Sequence, residues 1–119
     1  MRDLDEVFAQ LAKSGFRSRF HLRDKDLNYL QTKGLPTVLR HAEDFIGNRL
    51  AAAEPVNDGK QTPYRGHPVF VAQHATACCC RSCLEQWHWI PKGEVLSPEE
   101  RSYIFLVLKR WLTAELSEN

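Results

Sequence analysis

All four cysteines of this 119-residue chain fall within six positions, as Cys78, Cys79, Cys80 and Cys83. A disulfide framework spreads its cysteines to staple distant segments, and this cluster cannot do that. The fold must therefore rest on a hydrophobic core. The length allows one such core and so a single globular domain over residues 1–119. With 43% hydrophobic residues the chain has the material for it.

Helical periodicity dominates. Leu4, Val7, Phe8 and Leu11 recur at spacings of three and four behind acids in the opening turn, which predicts a helix ending near Gly15. A short helix follows from about Lys25, capped by Asp24 and stopped by Gly34. A longer one starts at Pro36 and runs to about Ala53, burying Val38, Ala42, Phe45, Ile46 and Leu50. The clearest start signal is Ser97-Pro98 with Glu100, a capping box opening a helix whose buried face is Ile104, Val107, Leu108 and Trp111. Two segments read as strands. Phe16, Ser18, Phe20 and Leu22 alternate with Arg17, Arg19, His21 and Arg23, and Val69 to Ala72 form a short apolar run. Residues 55–68 form a long loop, of a length that is often functional. The expected fold is mainly α: four to five helices, one or two short strands and a long central loop.

Sixteen basic and fifteen acidic residues leave a formal charge of +1, too even for whole-molecule attraction to nucleic acid. A local basic edge exists in Arg17, Arg19 and Arg23, with Lys13 and Lys25 nearby, and phosphate is its natural partner. A solvated strand face is the plainer reading. The acidic N-terminus lacks the apolar region of a signal peptide, and no stretch reaches the ~20 apolar residues of a membrane span. A cytoplasmic protein with reduced thiols is the expectation.

Reduced cysteine and neutral histidine are preferred zinc ligands. Cys80 and Cys83 have C-x-x-C spacing, and His74 and His88 flank them, giving an S2N2 set. If a helix begins before Cys79, then Cys79 and Cys83, four apart, replace that pair. His88 lies five positions past Cys83 and off that face. The metal candidates are thus His74, Cys79, Cys80, Cys83 and His88, with zinc the expected ion and iron or an iron–sulfur cluster the alternative. Two rivals use the same segment. Cys80, Leu84 and Trp87 can be a plain core stripe, or Cys80, at a helix start beside Arg81, can be a nucleophilic thiolate. A zinc deaminase needs a Glu two residues after its histidine, where Thr76 stands, and is excluded. Glu85 remains a candidate general base for another zinc hydrolase. In the loop, Asn57, Asp58, Lys60, Gln61, Arg65 and His67 are candidate ligand-binding residues, beside glycines that let backbone approach a ligand.

Two blocks carry a resemblance. One is Asn57-Asp58-Gly59-Lys60-Gln61-Thr62-Pro63 with Arg65-Gly66-His67-Pro68-Val69-Phe70. The other is Gln73-His74-Ala75-Thr76, Cys79-Cys80-Arg81, Cys83-Leu84, Trp87-His88 and Ile90-Pro91-Lys92-Gly93. Together they resemble a small bacterial Cys/His-rich family known as a domain of unknown function (DUF number 4186), from about Phe16 to Trp111. The resemblance implies that loop and cluster form one site and that Cys79, Cys80 and Cys83 are the working thiols. It also implies a small residue where Trp89 stands, and it carries no activity. Whether the chain is an enzyme or a binding module for a ligand or protein partner stays open at this level.

Overall fold

The computed structural model describes residues 1–118. Six α-helices follow one another: α1 Leu4–Lys13, α2 Asp24–Lys33, α3 Leu35–Phe45, α4 Pro68–Ala75, α5 Arg81–His88 and α6 Pro98–Glu118. No strand occurs among the described residues. Both expected strands are helical, and the reasons differ.

The alternating segment is a short 3₁₀ turn, Arg17–Arg19, followed by extended chain. Ser14 sets it up locally. Its Oγ accepts the Arg17 N–H at 3.0 Å and its carbonyl accepts the Ser18 N–H at 3.0 Å, which curls the chain before a strand can form. Phe16 is consequently half exposed rather than inward-facing. The Val69–Ala72 run belongs to α4, which starts at Pro68 with the His67 ring nitrogen capping the Val69 N–H at 3.0 Å. Seven of its eight residues are buried. A helix buried nearly all round shows no amphipathic stripe, and in a short window it reads like a buried strand.

The other helices sit close to their expected places. α1 is capped by Asp3, whose carboxylate accepts the Glu6 N–H at 3.1 Å. α2 begins one residue early, with Arg23 rather than Asp24 at the cap. α3 ends at Phe45, but the coil continues to Leu50 as a π-helical turn, closed by an Ala51 N–H to Ile46 carbonyl bond of 2.9 Å. At α6, the Ser97 hydroxyl accepts the Glu100 N–H and the Glu100 carboxylate accepts the Ser97 N–H, at 3.0 and 2.8 Å.

α6 packs against α2, α3, α4 and the π turn. Ile104, Val107, Leu108 and Leu112 of α6 meet Leu30, Val38, Ala42, Ile46, Val69 and Ala72 in the main core. A smaller apolar group, Val7, Leu11 and Ala77, fixes α1 over the start of α5. The cysteine segment thus lies between α4 and α5, under α1 and the 3₁₀ turn.

Candidate metal centre

The turn between α4 and α5 decides which way each thiol faces. Ala77 adopts φ +59°, so the chain doubles back after Thr76. Bonds on both sides then pin it. The Cys78 N–H donates to the Gln73 carbonyl at 2.7 Å, the Gln73 amide donates to the Cys78 carbonyl at 3.1 Å, and the Thr62 hydroxyl donates to the Cys79 carbonyl at 2.8 Å. Cys80 is the N-cap of α5, and its sulfur accepts the Cys83 N–H at 3.5 Å. The next amide, Arg81 N–H, is capped by Asp58 Oδ1 at 3.1 Å, which fastens the loop to the cluster.

The result is a triangle. The sulfurs of Cys79, Cys80 and Cys83 all lie within 4.8 Å of one another. A tetrahedral ion with metal–sulfur bonds of ~2.3 Å holds its sulfurs ~3.8 Å apart, so this spacing suits one shared ion. Cys78 stands apart. It is fully buried, its thiol faces the Thr76 carbonyl at 3.7 Å and His88 Nε2 at 3.5 Å, and burial pushes it up to about 12.

Arg17 is the cation of the site. Its Nη2 lies 3.3 Å from the Cys83 sulfur and its Nη1 3.8 Å from the Cys79 sulfur, while Nη1 also donates to the His74 carbonyl at 2.7 Å. Cys83 ionises first: thiol donors from Cys79 and Cys80 hold it low, and Arg17 adds to the effect. Cys79 is raised, because its proton is shared with Cys80 and Cys83 and because it is buried. Burial alone would lower the Arg17 guanidinium, but the neighbouring sulfurs outweigh it and raise it. Arg17 does not belong to an outward phosphate-binding stripe. Arg19 and Arg23 do face solvent, along an open groove of about 550 Å³ that Arg65 also lines.

The two histidines sit differently. His74 Nε2 lies 3.0 Å from the Thr62 carbonyl, to which it donates, and its ring stacks on Tyr64 at 4.0 Å. Burial lowers its pKa. His88 is engaged on both nitrogens, Nδ1 with the Tyr103 hydroxyl at 2.7 Å and Nε2 with the Thr76 carbonyl at 2.8 Å, and burial lowers it to about 4. Neither ring belongs to the sulfur triangle.

The loop candidates divide. Asp58 reaches the cluster, and Gln61 braces Asp58 with an amide bond of 2.8 Å. Asn57 and Lys60 close an exposed turn through a Lys60 N–H to Asn57 carbonyl bond of 2.8 Å. Arg65 is exposed in the groove. His67, at the other end of α4 from His74, faces His41, with Nε2 3.0 Å from His41 Nδ1. Its Nδ1 already accepts the Val69 N–H, so the neutral ring donates from Nε2.

Three residues of the site carry no sequence signal of their role. Arg17 and Thr62 act on residues 62 and 17 positions away. Arg81, expected beside the Cys80 thiolate, is instead 1% exposed and donates to the Leu50, Ala52, Pro91 and Glu94 carbonyls at 2.6 to 3.2 Å. It locks the π turn to the chain after α5. Glu85 is exposed and accepts the Lys92 N–H at 3.0 Å.

No helix of the described residues is long and apolar enough to cross a membrane. No solved structure matches this chain significantly. A family model does match, over residues 5–113, and the chain accordingly belongs to the family described as Domain of unknown function (DUF4186).

Proposed function

We propose that this protein is a cytoplasmic metal-binding domain that holds one zinc ion through the thiolates of Cys79, Cys80 and Cys83. The observation that carries the reading is the sulfur triangle itself, three thiols gathered from one turn and the first turn of α5. Three uncomplexed thiols in contact can share little negative charge, whereas a divalent cation lets all three ionise. Three thiolates and one divalent ion leave a single negative charge, and Arg17 stands against the sulfurs to balance it. Zinc is favoured over an iron–sulfur cluster, which takes four cysteines, because Cys78 faces the other way. His74, on the helix leading into the turn, is the histidine candidate for a fourth ligand: its Nε2–H on the Thr62 carbonyl leaves Nδ1 with the lone pair, although the ring stands outside the sulfur group. His88 must give up Thr76 or Tyr103. In this reading the loop meets the site at Asp58, braced by Gln61, and the exposed turn of Asn57 and Lys60 is the part of the loop open to a ligand or partner.

The test is elemental mass spectrometry on tag-free protein purified under reducing, chelator-free conditions. About one zinc per chain is expected, lost in Cys79→Ser, Cys80→Ser and Cys83→Ser and kept in Cys78→Ser. Metal-free protein whose Cys83 alkylates rapidly at neutral pH would replace this reading with a thiol-dependent catalyst.

A further inference from the structure

We propose that the chain leaves the ion's fourth coordination position open and that a small exogenous anion fills it, held by Arg17. The inference rests on the metal reading above and goes beyond it, since a closed four-ligand site is structural whereas an open one binds ligands.

Each residue that might close the site is either committed elsewhere or outside the sulfur group. The fourth thiol, Cys78, is fully buried and points to Thr76 and His88. His88 uses both ring nitrogens in the core, with Tyr103 and the Thr76 carbonyl. His74 donates Nε2–H to the Thr62 carbonyl, which leaves Nδ1 as its one lone pair, but the ring is stacked on Tyr64 and neither nitrogen lies within 4.8 Å of all three sulfurs. The side-chain nitrogens that touch these sulfurs among the described residues belong to Arg17, and a guanidinium has no lone pair to give a metal.

Arg17 also defines what the open position accepts. It spans the Cys79–Cys83 edge of the triangle, so a donor arriving at the metal comes within range of a fixed positive charge. That favours an anion over water or a neutral amine. Cys83 and Arg17 are both partly exposed, while Cys79 and Cys80 are buried, so solvent reaches the site on the Arg17 side. A purely structural site has no need of that access.

Cobalt(II) substitution tests this, because its visible d–d bands report the ligand set. Binding releases the protons that the three cysteines still carry and leaves cobalt in its divalent state under anaerobic conditions. Azide is titrated into protein saturated with cobalt. The expected result is a saturable shift of the d–d bands. In Arg17→Gln, still saturated with cobalt, azide should bind about tenfold more weakly, and Arg17→Lys, which keeps the charge, should recover most of that loss. A spectrum unmoved by azide overturns the open position. So does a His74→Ala variant whose bands shift without any anion, since that makes His74 the fourth ligand. Absence of cobalt binding altogether overturns the metal reading and this inference with it. Circular dichroism of each variant separates these outcomes from misfolding.

Discussion

Arg17 and Cys83 are 66 positions apart in sequence, yet the guanidinium Nη2 lies 3.3 Å from the sulfur. The contact brings the 3₁₀ turn against the site and supplies its only touching cation among the described residues. Groups that donate to a metal-bound ligand typically change metal affinity by 10- to 100-fold when removed. Arg17→Leu should therefore weaken zinc binding by about that factor, measured by competition with a chromophoric chelator. Unchanged affinity would mean that Arg17 packs beside the thiols without supporting the ion.

The Arg81 guanidinium makes a different kind of contact, with four backbone carbonyls and, among the described residues, no carboxylate. Its two terminal nitrogens connect the end of the π turn to the segment after α5. Orphaning a buried acceptor costs ~1–3 kcal/mol; the Leu50 bond is buried and the other three are partly buried, so losing all four should cost about 3 kcal/mol. Arg81→Met, close in length but without donors, should lower the urea midpoint accordingly. Arg81→Lys should recover only part, because an ammonium lacks the planar fork. A midpoint within ~1 kcal/mol of the original would show that these carbonyls are readily satisfied by water.

How much of this the sequence showed depended on the range of the interaction. The α6 capping box, Ser97 with Glu100, was legible because both partners lie within one turn. The cysteines stood out as a candidate metal set by type and crowding, and the structure brings three of them, Cys79, Cys80 and Cys83, close enough to share an ion. The site was not resolved further because the C-x-x-C pair and the pair four apart both contribute: Cys80 caps the helix and Cys83 sits in its first turn. The strands failed for local reasons, a Ser14-closed turn in one case and a fully buried helix in the other. Arg17 and Arg81 were illegible because nothing near either residue in the sequence records the carbonyls and sulfurs that the fold brings to it.

Two buried or half-buried histidines make stability depend on pH. His67 is lowered to about 4, first by burial and then by the neighbouring His41, and His88 is lowered to about 4 chiefly by burial. Both rings use an unprotonated Nδ1 as an acceptor, from the Val69 N–H and from the Tyr103 hydroxyl. The unfolded chain takes up protons as pH falls through ~6.5, and the folded chain does so only near 4. Their contribution is therefore present in full above ~6.5, is lost as pH falls toward 4, and changes no further below that. For His88 the loss is about 3 kcal/mol. His67 is half exposed, and solvent screening makes its share smaller. His67→Asn, which keeps a capping oxygen but cannot titrate, should flatten part of the slope of Tm between pH 6.5 and 4. Identical slopes in the variant and the parent would remove His67 from this account.

Trp89 ends α5 at a position that suits glycine. Its φ is +59° and its N–H bonds the Glu85 carbonyl at 3.2 Å, the bond of an αL helix cap, while the following Ile90 N–H reaches back to the Leu84 carbonyl at 3.2 Å. A left-handed residue with a Cβ costs ~1–2 kcal/mol relative to glycine there. Against that cost, the exposed Trp89 ring lies under Arg2, whose guanidinium carbon is 4.2 Å from its centroid, a contact worth ~0.5–1 kcal/mol. The two effects nearly cancel, so Trp89→Gly should leave stability within ~1 kcal/mol of the parent. Trp89→Ala loses the stacking and keeps the strain, and should be less stable than Trp89→Gly by ~1 kcal/mol. Chemical denaturation of the three proteins checks the order. If alanine equals or exceeds glycine, the turn is not under left-handed strain, and the Arg2 contact alone accounts for tryptophan at this helix end.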